Sequence, residues 1–220
     1  MKGSNTVITA HAGSDGYKPN SYEFIQSMLD SNVDALEIDC QMSSKSEVYL
    51  SHDPLDDYSE ALSLIDVYQL LIDSNNTKII LNVDCKQDSI PLYAINKAKE
   101  FGVFDQIVIS GKINISDINP ADRNQLFFNL ENLIDISKLS SMDISELRDL
   151  LQDLYSKGIR KIQLPYTAVF DELLHLLNEM KLKLCVWTVD DSLLIKDLLN
   201  RGCYNITTNI ALDYLHSNED

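Results

Sequence analysis

The chain is expected to fold as an α/β protein, a TIM (β/α)8 barrel, and three observations point there. Eight short runs rich in Ile, Val, Leu or Phe alternate with helical patterns almost throughout. Strict alternation implies a parallel sheet, and eight units suggest closure into a barrel rather than an open sheet. Ionisable residues also gather just after several of the strand-like runs, where such a barrel carries its functional loops. With 220 residues and 45% apolar content, the chain can bury one core, and residues 1–220 read as one (β/α)8 domain. The length is below the roughly 250 residues usual for the fold, so the loops must be short.

Taken in order, a strand is expected near residues 6–10, then a helix over 21–31. The strand at 34–39 contains Ala35-Leu36-Glu37-Ile38-Asp39, and a strand-like excursion, Glu47-Val48-Tyr49-Leu50-Ser51, precedes a helix over 59–72. A strand at 79–84 leads to a helix over 91–101 that opens on Pro91, a residue suited to a first turn. Next come a strand at 106–110, a helix over 115–123 and a strand at 126–130. The last of these is the least regular, because Asn129-Leu130-Glu131-Asn132 can also continue into a helix. A helix over 144–157 ends at Lys157-Gly158, followed by a strand at 160–164 and a helix over 169–180. A strand at 184–188, a helix over 191–201 ending at Arg201-Gly202, a strand at 204–208 and a short helix from 210 complete the series. There is no internal repeat and no low-complexity segment.

A formal net charge of −16 argues against nucleic acid, which rewards clustered Lys and Arg, and disfavours stable association with an anionic membrane. A small anionic substrate remains compatible if a metal or a few cations reverse the potential locally. Residues 1–6 are polar, and no segment approaches the roughly 20 apolar residues of a membrane span, so a soluble, cytoplasmic protein is expected. Cys40, Cys85, Cys185 and Cys203 lie singly in or beside strand-like runs, which suits buried free thiols better than zinc. The acidic stretch over 53–60 reads as a solvated loop rather than a second metal site.

Glu37 and Asp39 stand two residues apart on an apolar run. On a strand they share a face about 6.6 to 6.8 Å apart, and something positive should sit between them. A solvated sheet edge would also accept two acids. The placement of His11 and His52 just after strand-like stretches favours a site. Asp84 ends another strand and supplies a third acid. Hard oxygen ligands without a thiolate or histidine cluster suit Mg²⁺ or Ca²⁺, and Lys86 adds a positive charge for a bound anion. His11 and His52 suit general acid and base work near neutral pH, and phosphodiester cleavage fits the set.

His11-Ala12-Gly13, Pro19-Asn20-Ser21, Glu37-Ile38-Asp39, Ser51-His52-Asp53, Asp84-Cys85-Lys86 and Val186-Trp187-Thr188-Val189 follow one another in the order and spacing of the glycerophosphodiester phosphodiesterase family. The chain resembles that family densely over 6–86 and again over 184–208. The resemblance implies a TIM barrel that hydrolyses small glycerophosphodiesters to glycerol phosphate and an alcohol with a divalent cation. It implies that Glu37, Asp39 and Asp84 hold the metal, that His11 and His52 are the acid and base pair, and that Lys86 contacts phosphate or the metal shell. Trp187 would line the pocket near the glycerol moiety, its other reading being a barrel-packing aromatic.

The chain departs from the pattern in places. Ala12 stands where the family usually has a phosphate-contacting Arg, Asp84 where it has a longer Glu, and Asn209 where it has Asp. The turn after the first strand lacks the usual glutamate, and Lys18 or the turn residue Lys45 is a candidate to stand in for the arginine, Lys45 reading rather as solvated. Residues 53–77 leave room for little beyond one helix where relatives carry a small subdomain. Headgroup selection is then loose or completed by a partner subunit in a homo-oligomer. His175 and His216 read as surface residues. Two other functions stay open: a cyclising phosphodiester lyase, and a non-catalytic barrel that binds a cation or small polar ligand.

Overall fold

The computed structural model describes residues 6–217, so most of the polar N-terminal stretch lies outside the described residues. The strands are β1 (Val7–Ala10), β2 (Ala35–Met42), β3 (Val48–Leu50), β4 (Ile80–Cys85), β5 (Ile107–Gly111), β6 (Phe128–Asn129), β7 (Lys161–Pro165), β8 (Lys183–Trp187) and β9 (Asn205–Thr208). Eight of them run parallel in the order β5-β4-β2-β1-β9-β8-β7-β6, and β3 pairs antiparallel with β2 outside that path. The two ends of the series meet through a parallel bridge between Ile109 and Leu126 and a bond from Phe127 N to the Ile109 carbonyl at 2.9 Å. This is the nearly closed parallel barrel expected of a TIM fold.

The α-helices are α1 (Tyr22–Leu29), α2 (Leu64–Asp73), α3 (Ile90–Phe101), α4 (Ile144–Ser156), α5 (Asp171–Glu179), α6 (Ser192–Asn200) and α7 (Ala211–His216). Their starts are chemically marked: the side chains of Ser21, Ser63, Asp143 and Asp191 each accept a backbone N–H of the first turn. Gly102 ends α3 at φ +72, a left-handed turn that glycine adopts without steric cost.

Side chains alternate along each strand, and the two faces have different partners. Ile8, Leu36, Ile38, Leu81, Val83, Ile109, Ile162, Leu164, Val186 and Ile206 belong to the continuous buried layer between barrel and helices. Residues of the opposite parity fill the barrel, where Val108, Phe127 and Cys185 form a small apolar cluster and Thr9, Asn82, Ser110, Gln163, Asn205 and Thr207 are buried polar groups. The four cysteines are free and buried, as expected, and burial pushes their thiols up from the ordinary value.

Three expectations shift. The helix placed over 59–72 begins only at Leu64, because Leu50 N bonds to the Leu62 carbonyl at 2.8 Å and extends the β3 hairpin through the preceding residues. The helix placed over 115–123 is two 3-10 turns, Ile115–Asp117 and Pro120–Gln125. Asn114 and Asn119 cap the N–H groups of Ser116 and Ala121, and Pro120 has no N–H to continue a helix from the first turn. The strand at 126–130 shortens to Phe128–Asn129 and then tightens into a 3-10 turn, Leu130–Asn132.

Candidate active site

The parallel register places Asp39 beside Asp84 and Asp84 beside Ser110, with Glu37 beside Asn82 one layer deeper. Each carboxylate is held by a neutral donor. Asn20 Nδ2 donates to Asp39 Oδ2 at 2.9 Å, Ser110 Oγ to Asp84 Oδ1 at 3.0 Å, and Asn82 Nδ2 to Glu37 Oε2 at 2.7 Å. Asn20 also accepts the Asp39 backbone N–H at 2.9 Å, so the turn before α1 is clamped to β2. Its φ of +58 lies in the left-handed region that Asn tolerates better than most residues.

Lys86 closes the upper layer. Its Nζ lies 2.7 Å from Asp39 Oδ1 and 2.5 Å from Asp84 Oδ2. Burial works against its charge, but the Asp84 and Asp39 carboxylates outweigh that cost and raise its pKa above the ordinary lysine value. Glu37 behaves oppositely. Burial, then the nearby Asp84 and Asp39 charges, push its pKa well above the usual carboxylate value, and Lys86 offsets this only in part.

His11 follows β1, and its Nε2 lies 3.6 Å from Glu37 Oε1. Its other nitrogen, Nδ1, is 2.9 Å from Asn209 Oδ1. The orientation of that amide is set from behind, because Asn209 Nδ2 donates to Asp190 Oδ2 at 2.8 Å and the Asn209 N–H to Asp190 Oδ1 at 2.7 Å. Asn209 Oδ1 is therefore left to accept, so Nδ1 carries the proton and Nε2 of the neutral ring keeps its lone pair. His52 lies at the rim with its side chain 68% exposed, Nδ1 3.0 Å from Asp53 Oδ1. Gln41 Nε2 holds its backbone by donating to the His52 carbonyl at 2.8 Å.

A cavity of about 780 Å³ at the C-terminal mouth of the barrel is lined by His11, Glu37, His52, Asp84, Lys86 and Trp187, six of the seven site residues read from the sequence. The seventh, Asp39, is buried beneath the lining and is tied to it by Lys86. Neither Lys18 nor Lys45 lines the cavity, and Lys45 sits in the exposed turn between β2 and β3. His175 and His216 are exposed on α5 and α7.

The donor set can be weighed against a divalent cation. Three carboxylates and one ammonium leave an excess of negative charge if all are ionised, and oxygen donors of this kind suit a hard cation. In the present arrangement the Lys86 ammonium stands between Asp39 and Asp84. No group of three acidic, histidine or cysteine side chains converges at ligating distance among the described residues. The chemistry of the donors thus fits a cation.

Reading the sequence missed Asn209 and Asp190 as the pair that orients His11, since Asn209 was noted only as a departure from a pattern. Their signal was positional, one just after β9 and the other three residues after β8. Lys112, Asn129 and Glu131 also line the cavity; the sequence reading gives Lys112 no place and treats Asn129 and Glu131 only as a possible helical continuation, although all three follow or end β5 and β6.

No family model and no curated protein matches the sequence. Solved structures do match. A glycerophosphodiester phosphodiesterase from Parabacteroides distasonis superposes with a TM-score of 0.71 at 16% identity, covering 98% of this chain and 99% of that one. A putative glycerophosphodiester phosphodiesterase from Galdieria sulphuraria gives 0.75 at 12% identity, with 98% of each chain covered. A phosphodiesterase from Oleispira antarctica, solved in complex with the product sn-glycerol-3-phosphate, gives 0.68 at 11% identity over 97% of each chain. At such identities the likeness carries the fold. No helix among the described residues is long and apolar enough to cross a membrane.

Proposed function

We propose that the chain is a metal-dependent phosphodiesterase that hydrolyses a small glycerophosphodiester to glycerol phosphate and an alcohol. The observation that carries the reading is the meeting of His11, His52, Glu37, Asp84 and Lys86 around one cavity at the C-terminal mouth of a barrel whose solved likenesses include glycerophosphodiester phosphodiesterases.

Glu37, Asp39 and Asp84 would hold a divalent cation, Mg²⁺ or Ca²⁺. Once bound, such an ion would neutralise charge on the phosphoryl oxygens. The chain's own groups do the remaining work. With Nδ1–H donated to Asn209, His11 Nε2 is the atom available to take a proton from the attacking hydroxyl or water. His52, at the solvent-facing rim, returns a proton to the leaving alkoxide, and Asp53 orients its ring. Lys86 supplies positive charge beside the phosphate or the metal shell, and Trp187 forms an apolar wall for the glycerol moiety.

The test is direct. Purified protein with Mg²⁺ or Ca²⁺ is expected to release glycerol phosphate from glycerophosphocholine or glycerophosphoethanolamine, with chelator abolishing release. His11→Ala and His52→Ala are each expected to lower kcat by about 10² to 10⁴-fold, the usual reach of a general acid or base. Undiminished activity in both variants would overturn the reading. Phosphorus NMR of the products separates hydrolysis from release of a cyclic phosphate.

A further inference from the structure

Two lysines line the cavity, and they are not equivalent. Lys86 is committed, with one ammonium shared between two aspartate oxygens. Lys112 is exposed at the mouth, and its side chain makes no hydrogen bond or ion pair with any described residue.

Its backbone, by contrast, is closely fixed. Lys112 N donates to the Cys85 carbonyl at 2.7 Å, which places the Lys112 backbone against the residue between Asp84 and Lys86. Gly111, just before it, has φ +82, and a Cβ there would come within 2.3 Å of the Cys85 carbonyl oxygen and 2.5 Å of Asp84 Oδ1. Only glycine lets the chain pass this close to β4. Gly111 N also donates to Asn129 Oδ1 at 3.1 Å, and Asn132 Nδ2 donates to the Gly111 carbonyl at 2.9 Å. The turn is thus held from both sides, and it presents a long, uncommitted cation above an otherwise acidic pocket.

The local charge balance explains why that cation matters. Glu37, Asp53, Asp84 and Glu131 line the cavity, facing Lys86 and Lys112. An anionic phosphodiester entering a protein of net charge −16 gains from any positive side chain beside a bound cation, and Lys86 is already shared between Asp39 and Asp84. Ala12 is buried and offers none, whereas Lys112 does.

We propose that Lys112 is a phosphate-binding residue of this site, the first cation an incoming phosphate monoester or diester meets. The inference rests on the phosphodiesterase reading and adds to it a residue that determines substrate affinity.

Calorimetric titration of sn-glycerol 3-phosphate into the full chain, together with steady-state turnover of glycerophosphocholine at saturating Mg²⁺, tests it in wild type, K112Q, K112R and K45Q. Lys112 is exposed, so matching thermal melts should confirm that its variants keep the fold. K112Q is expected to weaken glycerol phosphate binding and raise KM by roughly tenfold or more, as for loss of one charge-assisted contact, with a smaller effect on kcat. K112R should stay near wild type, and K45Q, which removes the same charge from a turn outside the cavity, should change neither constant. If wild type turns over the diester while K112Q stays within about twofold in both constants, the Lys112 proposal fails and the phosphodiesterase reading stands. If wild type neither binds glycerol phosphate nor turns over glycerophosphocholine, both fall together.

Discussion

Single residues here are governed by what surrounds their charge. Lys161 points into the barrel from β7, donates to the Asn124 carbonyl and lies over the Phe127 ring, 5.6 Å from its centroid. No carboxylate pairs with it among the described residues, and burial pulls its pKa down to about 8. An unfolded lysine titrates near about 10.4, so between these two values the unfolded chain holds a proton that the folded chain has lost. Stability therefore rises with pH across that window, and below it the cost of burying the charged lysine is carried in full. Urea unfolding of wild type and Lys161→Met should show the wild type gaining on the variant from pH 8 toward 10.4, with a constant offset below pH 7. Parallel curves over the whole range would refute a buried, depressed lysine. Lys86 is the opposite case, less enclosed and raised, because Asp39 and Asp84 touch it. Burial sets the direction for Lys161, and the two carboxylate partners set it for Lys86.

At the scale of elements, local chemistry sets where the helices begin, and hairpin pairing sets how early they can. Ser63 and Asp66 form a reciprocal capping box, with Ser63 Oγ accepting from Asp66 N at 3.1 Å and Asp66 Oδ2 accepting from Ser63 N at 3.0 Å. Ser63 also bridges Tyr49, so the same residue ends the β3 hairpin and starts α2. Ser63→Ala is expected to cost about 1 kcal/mol and lower Tm by about 2 to 4 °C, as read by thermal melting. The His52 loop is anchored through this hairpin, so an unchanged KM in Ser63→Ala would indicate that the anchor survives loss of the cap. The crossover between β5 and β6 shows the limit of pattern reading. The apolar spacing over 115–123 matches a helix, but two asparagine caps and Pro120 divide it into short turns.

For the whole molecule, barrel closure is uneven. β2 and β4 pair over six residues, whereas β5 reaches the far end of the sheet through one bridge and a two-residue β6. Such a seam is where local opening should begin. Hydrogen exchange is expected to be faster at the amides of residues 126–129 than at Ile38 and Val83, all of which are largely buried. Equal protection would mean that the barrel opens only as a unit. The seam adjoins the site, because Asn129 holds the Gly111 turn from which Lys112 projects. Mobility there would be felt first at the cavity wall rather than at the acids, which lie on the well-paired strands.

The sequence by itself determined the alternation of strand and helix, the eight parallel strands and the C-terminal placement of His11, Asp39, Asp84, Lys86 and Trp187. These are legible because side-chain parity on a strand and periodicity on a helix are local properties. Tertiary structure alone decided the pairings: Asp39 beside Asp84, Lys86 between them, Asp190 behind Asn209 behind His11, and Lys112 standing free while Lys86 does not. Those relations join residues on different strands and loops, up to 198 positions apart for His11 and Asn209. Register, barrel closure and competition for each polar atom arise only when the strands meet, so no stretch of chain read alone contains them.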